Sequence, residues 1–354
     1  MENENIEIRT LQMTGKSSYI ITLPKEWIKS SKLKKNDKMG IIPQSDGSLL
    51  VTPKIYNEKT QREKQIDVND RTNQTYLFRQ LIGAYISGYN SIKIKSSTRL
   101  SISIRKNIKQ FIQTTVGQEV MEETDTSITL KDLLNPGEMP FYNTIKRMKI
   151  VVESMHKDVI QSLEKKDKML SEDVILRDND IDRLHWLIAR QYNIILRNPN
   201  LAKKMKITVG MASTSFLISR TIERIGDHIV KIAYNVIKLI DENMDKRVID
   251  NLRSTSIIAV DIFSRSIASF FKGDTKAAND IFESVKKLEQ QCSNFTKLTL
   301  QQSGETAVSF GYIVESIRRI GEYAEDISEH VINYLINEEG KSDLNLKSNS
   351  LSLH

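Results

Sequence analysis

The sequence predicts a multidomain protein: a small strand-rich module at the N terminus, a small α/β connector, and a C-terminal all-α region built as two sets of three helices. Three observations predict it. Residues 1–54 are short alternating segments broken by turn residues, and residues 75–140 mix alternating and helical periods. From Phe141 to Asn337 apolar residues recur at helical spacing, and Pro199 is the only proline in that stretch.

In the first module IEIRTLQM alternates, TGKSS reads as a turn, YIITLP as a second strand and KEWIKSSKL as a short helix. The polar KKND turn leads to MGIIPQ, and Asp46-Gly47 closes a hairpin with SLLVTP. A unit of this size buries too little surface alone and is expected to complete its core with a partner chain. From Lys25 to Lys38 six lysines stand against Glu26 and Asp37.

Residues 55–74 are polar and nearly free of core positions, which predicts a linker. The connector, 75–140, reads as helix (TYLFRQLIGAYISGY), strand (NSIKIKS), helix (LSISIRKNIKQFIQTTV) and two further strands (GQEVMEE, TSITLKDLL), closed by NPGEMP. The first helical bundle is expected over 141–242 and the second over 243–337, with a disordered Ser/Asn/Lys-rich tail over 338–354. Their helices are placed at about 141–164, 167–196, 205–242, 246–272, 274–302 and 305–337. The third helix of each set aligns with the other: RTIERIGDHIVKIAYNVIKLI matches ESIRRIGEYAEDISEHVINYLI, so Arg224-Ile225-Gly226 falls on Arg319-Ile320-Gly321 and an internal duplication follows.

Glu223 and Asp227 stand four apart on a helix, hence on one face, and Asp178 and Asp182 repeat the spacing on the preceding helix. Two readings fit. If the helices pack antiparallel, four carboxylates converge into an oxygen-rich site for a hard cation. Otherwise the acids line a solvated face and pair with Arg183, Arg220 and Arg224. Gly226, set mid-helix at a conformational cost of about 0.5–1 kcal/mol relative to Ala, favours a close approach there.

The remaining features exclude several classes. Hydrophobic residues make up 39% and charged residues 27%, and no apolar run approaches the roughly 20 residues that span a bilayer, so no membrane insertion is expected. The N terminus lacks the pattern of a signal peptide, which predicts a cytoplasmic protein. Cys292 is the single cysteine, ruling out an internal disulfide. The five histidines are scattered, and neither a Ser/His/Asp arrangement nor a glycine-rich nucleotide loop is present, so no enzyme is expected. The net charge of +7 favours a polyanionic partner.

These residues carry two resemblances. IERIGDHIVKIA and VILRDNDIDRLHWLI resemble the paired helices of the PhoU family, negative regulators of phosphate uptake, and 141–337 is similar to a PhoU domain in length and six-helix duplication. By this resemblance Glu223 and Asp227 fall on the family's E-x-x-x-D metal motif, with Asp178 and Asp182 as accessory acids, for a divalent or trivalent ion such as Fe, Mn, Mg or Zn. The second repeat departs from the motif: Arg318 replaces Glu223 and Glu322 replaces Asp227. A guanidinium does not ligate a cation.

TGKSSYIITLPKEWIKSSKLKKNDKMGIIPQSDGSLLVTPK resembles the AbrB/MazE/SpoVT class of swapped-hairpin DNA-binding domains, in which two chains intertwine into one β-barrel. Asn36 stands where that class uses glycine, and Asn tolerates positive φ better than other non-glycine residues. The resemblance implies a homodimer that grips DNA, with Arg9, Lys16, Lys25 and Lys29 on phosphates and Ser17, Ser18 and Tyr19 as neutral contacts. Together the halves resemble archaeal-type phosphate uptake regulators. The expected function is a phosphate-responsive transcriptional regulator that reads phosphate status, a metal or a transporter partner through its helices. Two alternatives stand beside it: an adaptor that controls a phosphate ABC transporter ATPase or a sensor kinase without binding DNA, and an antitoxin-like module that masks a toxin.

Overall fold

The computed structural model describes residues 6–15, 17–43, 47–53, 62–242, 244–299 and 304–351. The chain divides into two compact units, residues 1–60 and 61–354.

The first unit holds two separate antiparallel hairpins and one short helix. β1 (Gln12–Thr14) pairs with β2 (Ser18–Ile20), Met13 opposite Tyr19, with Gly15 at φ +67° in the turn between them. Pro24 opens α1 (Lys25–Ser30). After it the chain turns through Asn36 at φ +73°, so Asn takes the left-handed conformation that the resemblance assigned to glycine. Asp37 locks this turn by accepting from the Lys34 backbone N–H at 2.7 Å. β3 (Gly40–Pro43) and β4 (Leu49–Thr52) form the second hairpin. Asp46 of its expected turn lies outside the described residues.

Among the described residues of this unit no closed barrel forms, and Ile42 is the only buried side chain. Ile8 (89% exposed), Met13 (66%), Tyr19 (65%) and Ile41 (63%) face outward. The strand expected over residues 6–13 shrinks to its C-terminal end. Among the described residues of this unit no ladder includes residues 6–11, and an extended segment without a ladder partner is not a strand.

The second unit begins with a strand. Residues 63–68, expected within a linker, form β5 (Glu63–Val68), which pairs in parallel with β6 (Ser91–Ser96). Its Ile66 and Val68 point inward from an otherwise polar segment, a signal too short for a periodicity reading. The sheet order is β5-β6-β8-β7, with β7 (Gln118–Glu123) and β8 (Ser127–Asp132) antiparallel to their neighbours and a bulge between Val120 and Glu122. α2 (Gln74–Ile86) and α3 (Ile102–Gln113) close a core of Leu77, Leu81, Tyr85, Ile92, Ile94, Ile108, Phe111, Ile128 and Leu130. Asn73 and Ser101 cap the two helices by accepting from the third N–H of each.

The helical region follows the expected pattern closely. The first set is α4 (Phe141–Lys165), α5 (Lys168–Arg197), the short α6 (Pro199–Lys204) and α7 (Val209–Leu239). The second is α8 (Lys246–Lys272), α9 (Thr275–Thr299) and α10 (Gly304–Leu351). Asp167, Thr208 and Asp245 cap α5, α7 and α8, and Gly273 at φ +65° ends α8. The two sets share one continuous core running from Met148 and Ile222 to Leu288 and Ile320, so they are one body with an internal repeat. The tail expected to be disordered from residue 338 continues as helix to Leu351, since no Pro interrupts it and Glu, Lys and Leu favour helix. Among the described residues no helix is long and apolar enough to cross a membrane.

Candidate functional site

α5 and α7 cross where α7 has no side chain. A Cβ on Gly226 would lie 2.7 Å from Ile181 Cδ1 and 3.2 Å from Asp178 Oδ1, so glycine is what permits the approach. The crossing brings the two acid pairs close enough to act on one another's charge. Burial raises all four carboxyls above their ordinary values, and repulsion among them adds to the shift of Asp178, Asp182 and Glu223. Asp178 is pushed to about 6, by burial and then Asp227. Asp182 reaches about 7, by burial and then Asp178, Glu223 and Asp227.

Asp178 Oδ1 is buried without a hydrogen-bond partner, and none of the four acids forms an ion pair among the described residues. Among the described residues Arg183, Arg220 and Arg224 form no ion pair with the acids, but Arg220 and Arg224 oppose the rise of Glu223, Lys231 and Arg224 oppose that of Asp227, and Arg224 stands 5.9 Å over the Tyr323 ring centroid. Donor chemistry and charge therefore suit a hard cation, with Glu223, Asp227, Asp178 and Asp182 as the oxygen donors. Side-chain placement is a separate matter. Among the described residues no three His, Cys, Asp or Glu side chains are set to hold a metal ion, so ligation requires the carboxylates to turn inward.

The second repeat is chemically different. Arg318 donates to Glu315 at 2.7 and 2.9 Å and to Glu322, while Arg319 donates to Glu315 at 3.2 Å and to Glu322 at 2.9 Å. Cys292 is buried nearby, and burial pushes its thiol up to about 12, which leaves it an inert thiol.

In the N-terminal unit Ser17, Ser18, Tyr19, Lys25 and Lys29 are all exposed. Arg9 pairs with Glu7, and Lys29 with Glu26 at 3.2 Å, which trims the free positive charge. Lys16 lies outside the described residues. Trp27 is half-buried.

Sequence reasoning missed a buried junction. Arg190 on α5 donates to Asp132 (2.5 and 2.9 Å) and to the carbonyls of Tyr85 (2.5 Å) and Tyr89 (2.9 Å) of the α/β part. Gln191 reaches the Met139 carbonyl at 2.8 Å, and Trp186 meets Phe78 edge-on. The helix that carries Asp178 and Asp182 thus also seats the α/β part. An arginine among apolar helical residues was the available signal, but its partners lie 58 to 105 residues away.

Comparison with known proteins places these features. Residues 145–236 and 252–331 match the PhoU domain, and residues 12–59 match the family described as antidote-toxin recognition MazE, bacterial antitoxin. A phosphate-specific transport system accessory protein PhoU homolog 1 from Thermotoga maritima is 23% identical over 195 residues, 53% of this chain and 82% of that one. A phosphate-specific transport system accessory protein PhoU homolog from Xylella fastidiosa is 23% identical over 202 residues, 55% of this chain and 81% of its own. The crystal structure of PhoU from Pseudomonas aeruginosa superposes with a TM-score of 0.50 at 20% identity, covering 56% of this chain and 96% of that one.

Proposed function

Since the chain is a PhoU-domain protein with a MazE-type head, we propose that it is a phosphate-responsive transcriptional regulator. In this reading the head, paired with that of a second copy, binds promoter DNA, and the helical body reads phosphate status, a metal or a transporter component. The observation that carries the DNA half is the head itself: a MazE-type unit whose Lys25, Lys29 and Tyr19 are exposed and which buries only Ile42 among its described residues. A head with so little core of its own gains one by intertwining with a second copy, and pairing doubles its cationic face.

The input half rests on the acidic cluster. A divalent or trivalent cation, when bound, supplies positive charge to four acids that form no ion pair among the described residues. Glu223 and Asp227 from α7 and Asp178 and Asp182 from α5 would hold it, and α5 is also the helix whose Arg190 holds the α/β part. A ligand shifts this arrangement only through a difference in affinity for its two states. The relatives support a regulatory or accessory role rather than an enzymatic one.

Fluorescence anisotropy of the full chain against its own upstream DNA, at two or more salt concentrations, tests the proposal. Binding that weakens steeply with salt is expected, and Lys25→Ala with Lys29→Ala should flatten the logarithmic slope by about 0.9 for each phosphate that is no longer neutralised. A second reading is favoured by the relatives' description as transport-system accessory proteins: an adaptor that docks on a phosphate ABC transporter ATPase or a sensor kinase. Salt-insensitive or absent DNA binding, with retention of such a partner, would establish the adaptor instead.

A further inference from the structure

The two repeats can be superposed through their glycines. Gly226 meets Ile181 of α5, and Gly321 meets Leu288 of α9, where an added Cβ would lie 2.4 Å from Leu288 Cδ2. With Leu288 on Ile181, Val285 falls on Asp178 and Glu289 on Asp182; on the glycine helices Arg318 falls on Glu223 and Glu322 on Asp227. Proximity supports this register, because Val285 Cγ1 stands 4.0 Å from the Cβ position of Gly321, as Asp178 Oδ1 stands 3.2 Å from that of Gly226. Four carboxylates in the first repeat thus become two carboxylates, a valine and a guanidinium in the second.

The guanidinium is well held. Arg318 grips Glu315 through two hydrogen bonds of 2.7 and 2.9 Å and bonds Glu322 with its remaining terminal nitrogen, so it bridges one turn above and one turn below its own position. Glu315 is held below the ordinary carboxylate range, chiefly by its hydrogen bond to Arg318. In the first repeat, by contrast, Arg220 falls on Glu315, and none of the four acids forms an ion pair among the described residues.

We propose that Arg318 is a built-in cation: its guanidinium stands where the first repeat has the Glu223 carboxylate and pairs with Glu322, the counterpart of Asp227, so the protein has one cation-responsive repeat. This rests on the cation reading of the first repeat only for the number of ions bound, and the variants below separate the two. Arg318 acts through Glu315 and Glu322 and is a positioning residue.

The test uses the full chain, treated with chelator and titrated with Mn²⁺, read by metal stoichiometry and by thermal melting. Wild type should bind one Mn²⁺ per chain, and Glu223→Gln with Asp227→Asn should bind none. In that silent background Arg318→Met should lower the melting temperature and create a Mn²⁺-dependent recovery, while Arg318→Lys, which keeps the charge, should melt near the background and ignore Mn²⁺. An Arg318→Met variant that melts like its background and does not respond to Mn²⁺ overturns the proposal. So does an ion retained by Glu223→Gln/Asp227→Asn and lost on adding Glu322→Gln. If wild type binds no ion and Arg318→Met still gains the Mn²⁺ response, the built-in cation stands and the first-repeat reading falls.

Discussion

Arg190→Met takes a guanidinium out of the junction between α5 and the α/β part and leaves three acceptors behind. Arg190 is 2% exposed and its partner Asp132 6%, so the remaining carboxylate stays buried without its counter-charge. Removing one member of a buried ion pair costs about 3–5 kcal/mol. The Tyr85 and Tyr89 carbonyls also lose their donor, each at about 1–3 kcal/mol unless water enters, and the losses overlap because one cavity serves all three. The net expectation is a destabilisation of at least about 3 kcal/mol, centred on this junction. Trp186, edge-on to Phe78 at 6.4 Å between centroids, reports on it directly. In a Trp27→Phe background it is the sole tryptophan, and urea unfolding followed by its fluorescence should show a midpoint lowered by at least about 1.5 M for a slope of about 2 kcal/mol/M. Arg190→Met with Asp132→Leu should recover much of the loss, since an apolar pair replaces a buried ion pair at little cost. An unchanged midpoint in Arg190→Met would refute the view that this arginine fastens the two parts.

Three further outcomes are expected. In chelated buffer Asp182→Asn should gain stability relative to wild type as pH rises from about 4 to about 7. The carboxyl is pushed up to about 7 in the fold, so the native state binds the extra proton and its advantage disappears across that window; equal pH profiles by chemical denaturation would show that the cluster is not strained. Gly226→Ala places a methyl 2.7 Å from Ile181 Cδ1 and should lower the melting temperature despite alanine's better helix propensity; a higher melting temperature would mean that α5 and α7 are not packed there. Ile41→Asp with Met13→Asp, on exposed apolar positions of the head, should shift the chain toward monomer in size-exclusion with light scattering, and an unchanged mass would place dimerisation elsewhere or nowhere.

What the sequence by itself determined is local and periodic. Apart from the C-terminal end of α10, helix after helix begins and ends within a few residues of its expected place, because caps such as Asp167, Thr208 and Asp245 and the 3.6-residue apolar stripe act over a turn or two of chain. The same holds for the acids. Four-residue spacing puts Glu223 and Asp227 on one face, and the Gly226 between them marks the face that another helix approaches. The Asn36 turn was legible for a similar reason, since its conformation is a property of one residue.

Only the tertiary structure decided the rest, because it depends on which distant segments meet. β5 is a strand through its ladder to β6 and the core beneath Ile66 and Val68, neither of which its own polar sequence announces. Arg190 becomes a fastener because the fold sets Asp132 and two carbonyls around it. The difference between the repeats divides the same way: Arg318 in place of Glu223, three and four residues from Glu315 and Glu322, is legible in the sequence, whereas only the crossing of α5 and α7 brings Asp178 and Asp182 to the acids of α7.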